Sequence, residues 1–210
     1  MQWRRAHLSM LAVILLLAAC SRRHEEGSSS EPVTAAPDTA ATASGSPVPL
    51  DSPGSHVNDP AVINFAGFGP AKFGANEEAV RMAWGHPLTT GSGAEGSPCR
   101  ILAMDPPPSN GRGIWFMLDD GLFVRYDVDV SVHVAPGNIV VGDSAEAVRA
   151  AFAGRVEERP LKYVEGGKEL VVSPPDGGES RLVFEVGVDG KVMNWRIGVP
   201  PQVFYVEGCG

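Results

Sequence analysis

The chain has 210 residues, with 17 Lys and Arg against 25 Asp and Glu, a formal charge of −8 and 43% hydrophobic residues. Arg4 and Arg5 lie in an N-terminal segment that reads as removed, with no acid among residues 1–19, so the remainder carries −10 (−8 − 2). That sign argues against nucleic acid and anionic headgroups as partners, and the length left beyond the N-terminal stretches is that of one domain.

Arg4 and Arg5 precede the apolar run Leu8 to Ala19 and the ending Leu17-Ala18-Ala19-Cys20. This pattern reads as an export signal over residues 1–19, and the run is shorter than the ~18–20 residues a membrane span needs. Leu-Ala-Ala-Cys resembles the bacterial lipobox, which implies cleavage before Cys20 and lipidation of its sulfur and amine. Several acyl chains hold a protein on a membrane where one does not. Ser21 follows, and resemblance to enterobacterial-type sorting implies the outer membrane, periplasmic side. Residues 21–63 are rich in Pro, Ser, Ala, Thr and Gly, a composition that cannot bury enough surface to fold. A tether of about 40 such residues reaches ~35 Å.

The globular domain is expected over residues 64–210. Gly69 to Trp84 (GPAKFGANEEAVRMAW) is repeated at Gly137 to Phe152 (GNIVVGDSAEAVRAAF), a period of 68 (137 − 69). A duplicated unit explains this, with repeats over 67–134 and 135–203. Each opens with a helix, about Asn76–Trp84 and Ser144–Phe152, where Val80/Trp84 and Val148/Phe152 share a face at i, i+4. Asp143 and Glu146 have the spacing of a capping box.

Three strands are expected after each helix: Cys99–Met104, Ile114–Leu118 and Leu122–Val134, then Glu169–Val172, Arg181–Val186 and Lys191–Val199. Leu161–Glu165 and Val203–Val206 are further candidates. Pro breaks and Gly-containing loops mark antiparallel hairpins. The expected fold is thus α+β, two tandem helix-plus-three-stranded antiparallel repeats with the helices on one sheet face. Period two places Val124, Tyr126, Val128, Val130, Val132 and Val134 on the helix-covered face. In the second copy it places Leu182, Phe184, Val186, Met193, Trp195 and Ile197 there, with Val192 outward. A three-residue loop, Asp119-Asp120-Gly121, sets Trp115 opposite Arg125 and Met117 opposite Phe123 on the helix-free face.

The unit resembles the tandem repeats of β-lactamase inhibitor protein and the small outer-membrane assembly lipoproteins of the SmpA/OmlA type, over about residues 67–200. Val199-Pro200-Pro201-Gln202-Val203 and Tyr205-Val206-Glu207-Gly208-Cys209 resemble a proteobacterial lipoprotein group whose members are sometimes labelled lectin. With Cys20 lipidated, Cys99 and Cys209 remain, and two such cysteines in an oxidising compartment pair.

Gly142-Asp143-Ser144 looks like the nucleophile block of Gly-Asp-Ser esterases. The last histidine, His133, is upstream, and the first copy has Gly74-Ala75-Asn76 there, so the serine reads as a helix cap and no catalytic residue is assigned. Asp127, Asp129 and His133 on one flat strand would span about 20 Å, too far to converge on one ion; no metal and no cofactor is expected. Trp115, Met117 and Phe123 on a solvent face need an explanation. Either a loop, the linker or the C-terminal strand covers them, or they form a partner site.

The sequence therefore points to a non-catalytic, lipid-tethered module for a periplasmic protein partner, of the inhibitor, immunity or envelope-assembly kind. Its partner-binding residues would be Trp115, Met117, Phe123, Arg125, Asp127, Asp129, Asn194 and Arg196. The alternative is a lectin-like binder of carbohydrate or peptidoglycan, in which Trp115 or Phe123 stacks on a sugar ring.

Overall fold

The structure, a computed structural model, describes residues 62–93 and 96–209. The expected export signal, Cys20 and nearly all of the linker lie outside them.

Polar caps start both helices. Asn76 accepts the Ala79 N–H (3.0 Å) to begin α1 (Glu77–Trp84), and Ser144 accepts the Ala147 N–H (3.2 Å) to begin α2 (Ala145–Ala151). Ser144 is thus the second cap, as expected of that serine, while the Asp143 carboxylate, expected in a capping box with Glu146, accepts the Val140 N–H instead (2.8 Å). A side-chain oxygen one residue closer to the first free N–H groups makes the better cap.

The chain is mostly β. Strands β1 (Ile63–Asn64), β2 (Gly67–Phe68) and β3 (Ala71–Lys72) form a small antiparallel sheet beside α1. Four strands follow α1: β4 (Leu88–Ser92), β5 (Arg100–Met104), β6 (Ile114–Asp119) and β7 (Leu122–Val128). Four more follow α2: β8 (Val156–Pro160), β9 (Lys168–Val172), β10 (Arg181–Val186) and β11 (Val192–Gly198). All eight join one antiparallel sheet in the order β4-β5-β6-β7-β11-β10-β9-β8. This overturns the α+β expectation of two helix-plus-three-strand repeats: the chain is mostly β, with four strands after each helix joined through β7 and β11 into one eight-stranded sheet and a separate three-stranded sheet before α1. The outermost strands β4 and β8 escaped sequence reading because Leu-Thr-Thr-Gly-Ser and Val-Glu-Glu-Arg-Pro lack apolar alternation. The segment Leu161–Glu165 is a turn, and Val203–Val206 holds part of a 3-10 helix (Gln202–Phe204) instead of a strand.

The hairpin registers also differ from expectation. Asp119 pairs with Leu122, leaving a two-residue loop in which Asp120 (φ 50°) and Gly121 (φ 77°) are both left-handed. Such a loop matches strand twist better than the three-residue loop. A β-bulge then inserts Val124, so Met117 faces Arg125 and Trp115 faces Asp127. Phe123 consequently turns into the core and Val124 away from it. The second hairpin bulges likewise, burying Val192 and exposing Met193 (39%). β7 stops at Val128; Asp129 leaves the sheet to accept the Arg112 and Gly113 N–H groups (2.9 Å each).

Both helices pack on one sheet face, where Phe68, Trp84, Phe116, Phe123 and Tyr126 pack with ring centroids 5.1–6.4 Å apart. Val148, Phe152, Leu182, Phe184, Trp195 and Ile197 continue the same core. Each large apolar side chain buried there contributes about 1.5–3 kcal/mol. Tyr126 donates to the Asn64 carbonyl (3.2 Å), and its burial pushes the phenol far above its ordinary value.

His133 lies at the margin of this core, 7% exposed, with its ring edge-on to Trp84 (6.4 Å) and no partner for Nδ1 among the described residues. Burial lowers its pKa from 6.5. Between the lowered value and 6.5 the unfolded chain holds more protons than the folded one, so stability rises with pH through that window, is lost on acidification through it, and is flat on either side as far as this group is concerned. His133→Leu should flatten this slope. Chemical denaturation of both proteins between pH 7 and pH 5 measures it, and parallel curves would contradict the assignment.

Candidate functional site

The helix-free face of the sheet is not open. After β11 the chain turns back at Pro200-Pro201, and residues 199–209 lie across β7 and β11 with the 3-10 helix in contact with both. A disulfide between Cys99 and Cys209 fixes the far end. Two apolar clusters sit beneath: Cys99, Met117 and Val124, with Val199 and Cys209 packed on them, and Val171, Val183 and Val203, with Phe204 on them.

Between these clusters lies a buried ionic network. Arg125 donates from Nε to Asp127 (2.8 Å) and from Nη1 to the carbonyls of Gln202 (3.1 Å) and Tyr205 (2.6 Å). Arg196 donates to the Val203 carbonyl (2.7 Å), to Glu169 (2.6 Å) and to Glu185. Burial would push the Arg196 guanidinium down, but attraction to Glu185, Asp127 and Glu169 outweighs it and holds the group above its ordinary value. Gln202 donates to Asp119 (2.8 Å) and closes the near end.

The sequence-predicted partner residues are thereby separated. Met117 and Phe123 are fully buried, and Arg196 (1%), Asp127 (2%) and Arg125 (5%) nearly so. As placed, these five are interior groups beneath the C-terminal segment or in the core, and they present no free surface. Asn194 is partly buried and donates to Glu185 (2.7 Å), while Asp129 is tied to the loop it caps. Trp115 remains at the rim, half-buried, with the guanidinium of Arg112, not Arg125, 5.4 Å from its ring centroid.

What the cover leaves accessible is a cleft of about 620 Å³ between the C-terminal segment, the β6–β7 loop and the turn after β8. Phe204, Tyr205, Lys162, Asp119, Glu207 and the disulfide line it. Tyr163, next to Lys162, is 71% exposed, has a left-handed backbone (φ 67°) and donates its hydroxyl to Glu207 (2.5 Å). A non-Gly residue held in that conformation stores strain, which collects at ligand sites. Tyr205 is 41% exposed, and Lys162 stands over the Tyr163 ring at 4.7 Å. Sequence reading passed over Lys162, Tyr163, Tyr205 and Glu207 as sites, because only the folded tail brings them together. The one signal was the Tyr205–Cys209 motif itself. Among the described residues no group of His, Cys, Asp or Glu is placed to hold a metal, and no helix is long and apolar enough to cross a membrane.

No protein-family model matches this chain, and no curated relative does. Three solved structures are similar in part. An extracellular protein containing an SCP domain from Bacillus anthracis str. Ames is 11% identical over 63% of this chain and 45% of its own, with a TM-score of 0.46. This chain thus spans under half the length of that protein. The uncharacterized protein yfeY from Escherichia coli is 16% identical over 61% of this chain and 91% of its own (TM-score 0.41). YjgB from Bacillus subtilis, a DUF4309 family protein, is 11% identical over 60% and 78% (TM-score 0.35). None of the three is named for the families that the repeat pattern resembles, and likeness at this level carries no argument about function.

The network should be essential to the fold. Arg196→Ala leaves Glu169 and Glu185 without their cation, and removing one partner of a buried ion pair costs about 3–5 kcal/mol. Trp115→Ala at the rim should cost under ~1 kcal/mol, as surface substitutions do. Urea unfolding of both variants checks the contrast, and comparable losses would refute it.

Proposed function

We propose that the protein is an exported, lipid-tethered, non-catalytic binding module whose ligand seats in the cleft beside the Cys99–Cys209 disulfide. The observation that carries this is the cleft's lining: Tyr205, Lys162, Asp119 and Glu207 share a cleft whose volume is typical of small-ligand sites, about 300–1,000 Å³. An aromatic ring beside convergent charged groups suits a sugar ring, whose faces are apolar and whose rim is polar, so carbohydrate is the ligand class we favour. A broad sheet face for a protein partner would require the C-terminal segment to leave, which its buried arginine contacts and disulfide oppose.

The Ser144 cap supports a reading without hydrolase chemistry at Gly142-Asp143-Ser144. The Ser144 hydroxyl is engaged as a helix cap, and His133, the histidine nearest to it upstream, is buried against Trp84. Export is supported by the disulfide, which persists in oxidising compartments, and by the signal and lipobox pattern ending at Cys20.

Two outcomes test the proposal. Tyr205→Ala should weaken binding of peptidoglycan fragments or another bacterial glycan by about thirtyfold, the scale of losing ~2 kcal/mol at an aromatic hot spot, while the melting temperature holds within a few degrees. Calorimetric titration measures it, and glycan binding that ignores Tyr205 sinks the cleft assignment. Separately, Cys20→Ala should abolish lipid attachment. Mass spectrometry of the mature N-terminus decides, and a wild-type protein without acyl chains would end the tether reading.

A further inference from the structure

The two edges of the eight-stranded sheet are built on equivalent positions and protected unequally. Leu88-Thr89-Thr90-Gly91-Ser92 of β4 stands 68 residues before Val156-Glu157-Glu158-Arg159-Pro160 of β8 (156 − 88), and each strand closes its own end of the sheet. An exposed edge offers unpaired N–H and C=O groups to any passing strand, and proteins block it with charge and proline. β8 carries both. Glu158 is held by Arg149 (2.6 Å) and Lys168 (3.2 Å), and Glu157 by Arg159 (2.8 Å). β4 carries neither.

The hydrogen-bond phase identifies which groups are on offer. Asp105 N–H donates to the Pro87 carbonyl and Gly93 N–H to the Cys99 carbonyl, so odd-numbered residues bond inward to β5. Alternation then turns the N–H and C=O groups of Leu88, Thr90 and Ser92 outward. Arg81, the counterpart of Arg149 one period earlier, spans the edge as Arg149 does. Lacking a carboxylate at position 90, it donates to the Leu88 carbonyl (2.7 Å) and the Thr90 hydroxyl (2.6 Å). Thr89, Thr90 and Gly91 are exposed.

We infer that β4 is a strand-addition site for an extended, proline-free peptide segment of a partner protein, carrying an acidic side chain on its helix-side face. The backbone of the incoming segment pairs with the Leu88 N–H and with the outward N–H and C=O groups of Thr90 and Ser92, the Leu88 carbonyl being held by Arg81, which is how extended peptides join open sheet edges. The acidic preference comes from Arg100. It is exposed, has no hydrogen-bond or ion-pair partner among the described residues, pairs with Ser92 across β5, and lies on the helix-side face with Leu102. An added strand lies two strand spacings away, roughly 10 Å from the Arg100 backbone, within joint reach of a guanidinium and a carboxylate. A second copy fits poorly: five residues pairing with five bury far less than the ~1,200 Å² of a stable interface, and the facing β4 segment, Leu-Thr-Thr-Gly-Ser, brings no carboxylate to Arg100.

This inference does not rest on the cleft, and the experiment separates the two. Peptides are selected from a displayed library of random ten-residue sequences against the full-length protein purified in detergent. Hydrogen exchange is then followed with and without each selected peptide. The expected result is new protection of the Leu88, Thr90 and Ser92 amides, enrichment of Asp or Glu in the peptides, and affinity at least tenfold weaker for Thr90→Glu and Ser92→Pro. Those variants copy the β8 residues at the same positions, so the melting temperature should stay within a few degrees of the parent. Tyr205→Ala should leave peptide affinity unchanged. Selected peptides that protect the cleft instead, binding that survives both edge variants, or protection of β4 that depends on protein concentration without peptide would each overturn the inference. The last would give the edge to a second copy.

Discussion

Two buried guanidinium groups decide where the last eleven described residues lie. Arg125 and Arg196 sit side by side on β7 and β11, and burying such charges costs several kcal/mol each unless every donor finds a partner. Asp127, Glu169 and Glu185 satisfy part of that demand, and the carbonyls of Gln202, Val203 and Tyr205 satisfy the rest. A backbone that supplies three carbonyls to fixed donors is itself fixed. The disulfide acts on the other side of the balance: with its cysteines 110 positions apart, the chain-entropy model gives about 4.7 kcal/mol from restricting the unfolded chain. The cleft inherits its shape from both, since its walls are the tail and the groups that the tail touches.

Much of the central architecture was legible because it is written in periodic apolar residues. Val80/Trp84 and Val148/Phe152 marked two helix faces, and β6, β7, β10 and β11 stood out as alternating runs. The disulfide followed from cysteine count and compartment. The errors have specific causes. A single bulge residue, Val124, reverses the phase of everything upstream in β7, so Phe123 exchanges a solvent face for the core; periodicity cannot register one inserted residue. Edge strands are half solvated on two sides and lose the apolar signature. The cleft was hidden for another reason. Tyr163 and Glu207 are 44 positions apart (207 − 163) and meet only because the tail folds back, a contact that no local pattern encodes.

The near-symmetry of the sheet gives these contacts their meaning. Arg196 pairs with Asp127 directly across β7 and β11, and the flanking pairs are Ile197 with Tyr126 and Trp195 with Val128. Asp127 and Arg196 are 69 positions apart (196 − 127), as are Tyr126 and Trp195, the period having gained one residue in the longer β10–β11 loop. An approximate twofold axis therefore passes through the Asp127–Arg196 pair. On the helix side this axis relates like to like: both helix entries are tied to the sheet by the same bonds, Gly74 to Phe123 (2.7 Å) and Gly142 to Val192 (2.8 Å).

On the other side like cannot meet like, because the tail exists only once. A single segment laid across a twofold surface touches each half differently, and the residues beneath it must differ accordingly. Ile101 and Met117 are apolar where the tail brings Val199 and Cys209. The positions 68 residues later are Glu169 and Glu185, which meet Arg196, and Arg196 itself replaces Asp127 of the first half. The charge reversal within the central pair makes the two register partners attract across the axis, where two aspartates or two arginines would repel in a buried setting. Edge strands β4 and β8 meet the tail unequally too: Arg159 of β8 lies over the Phe204 ring (4.6 Å), whereas its β4 counterpart is Gly91. The other differences, Thr89 and Thr90 against Glu157 and Glu158 and Ser92 against Pro160, lie along the rims themselves, where the carboxylates of β8 are held by Arg149, Arg159 and Lys168.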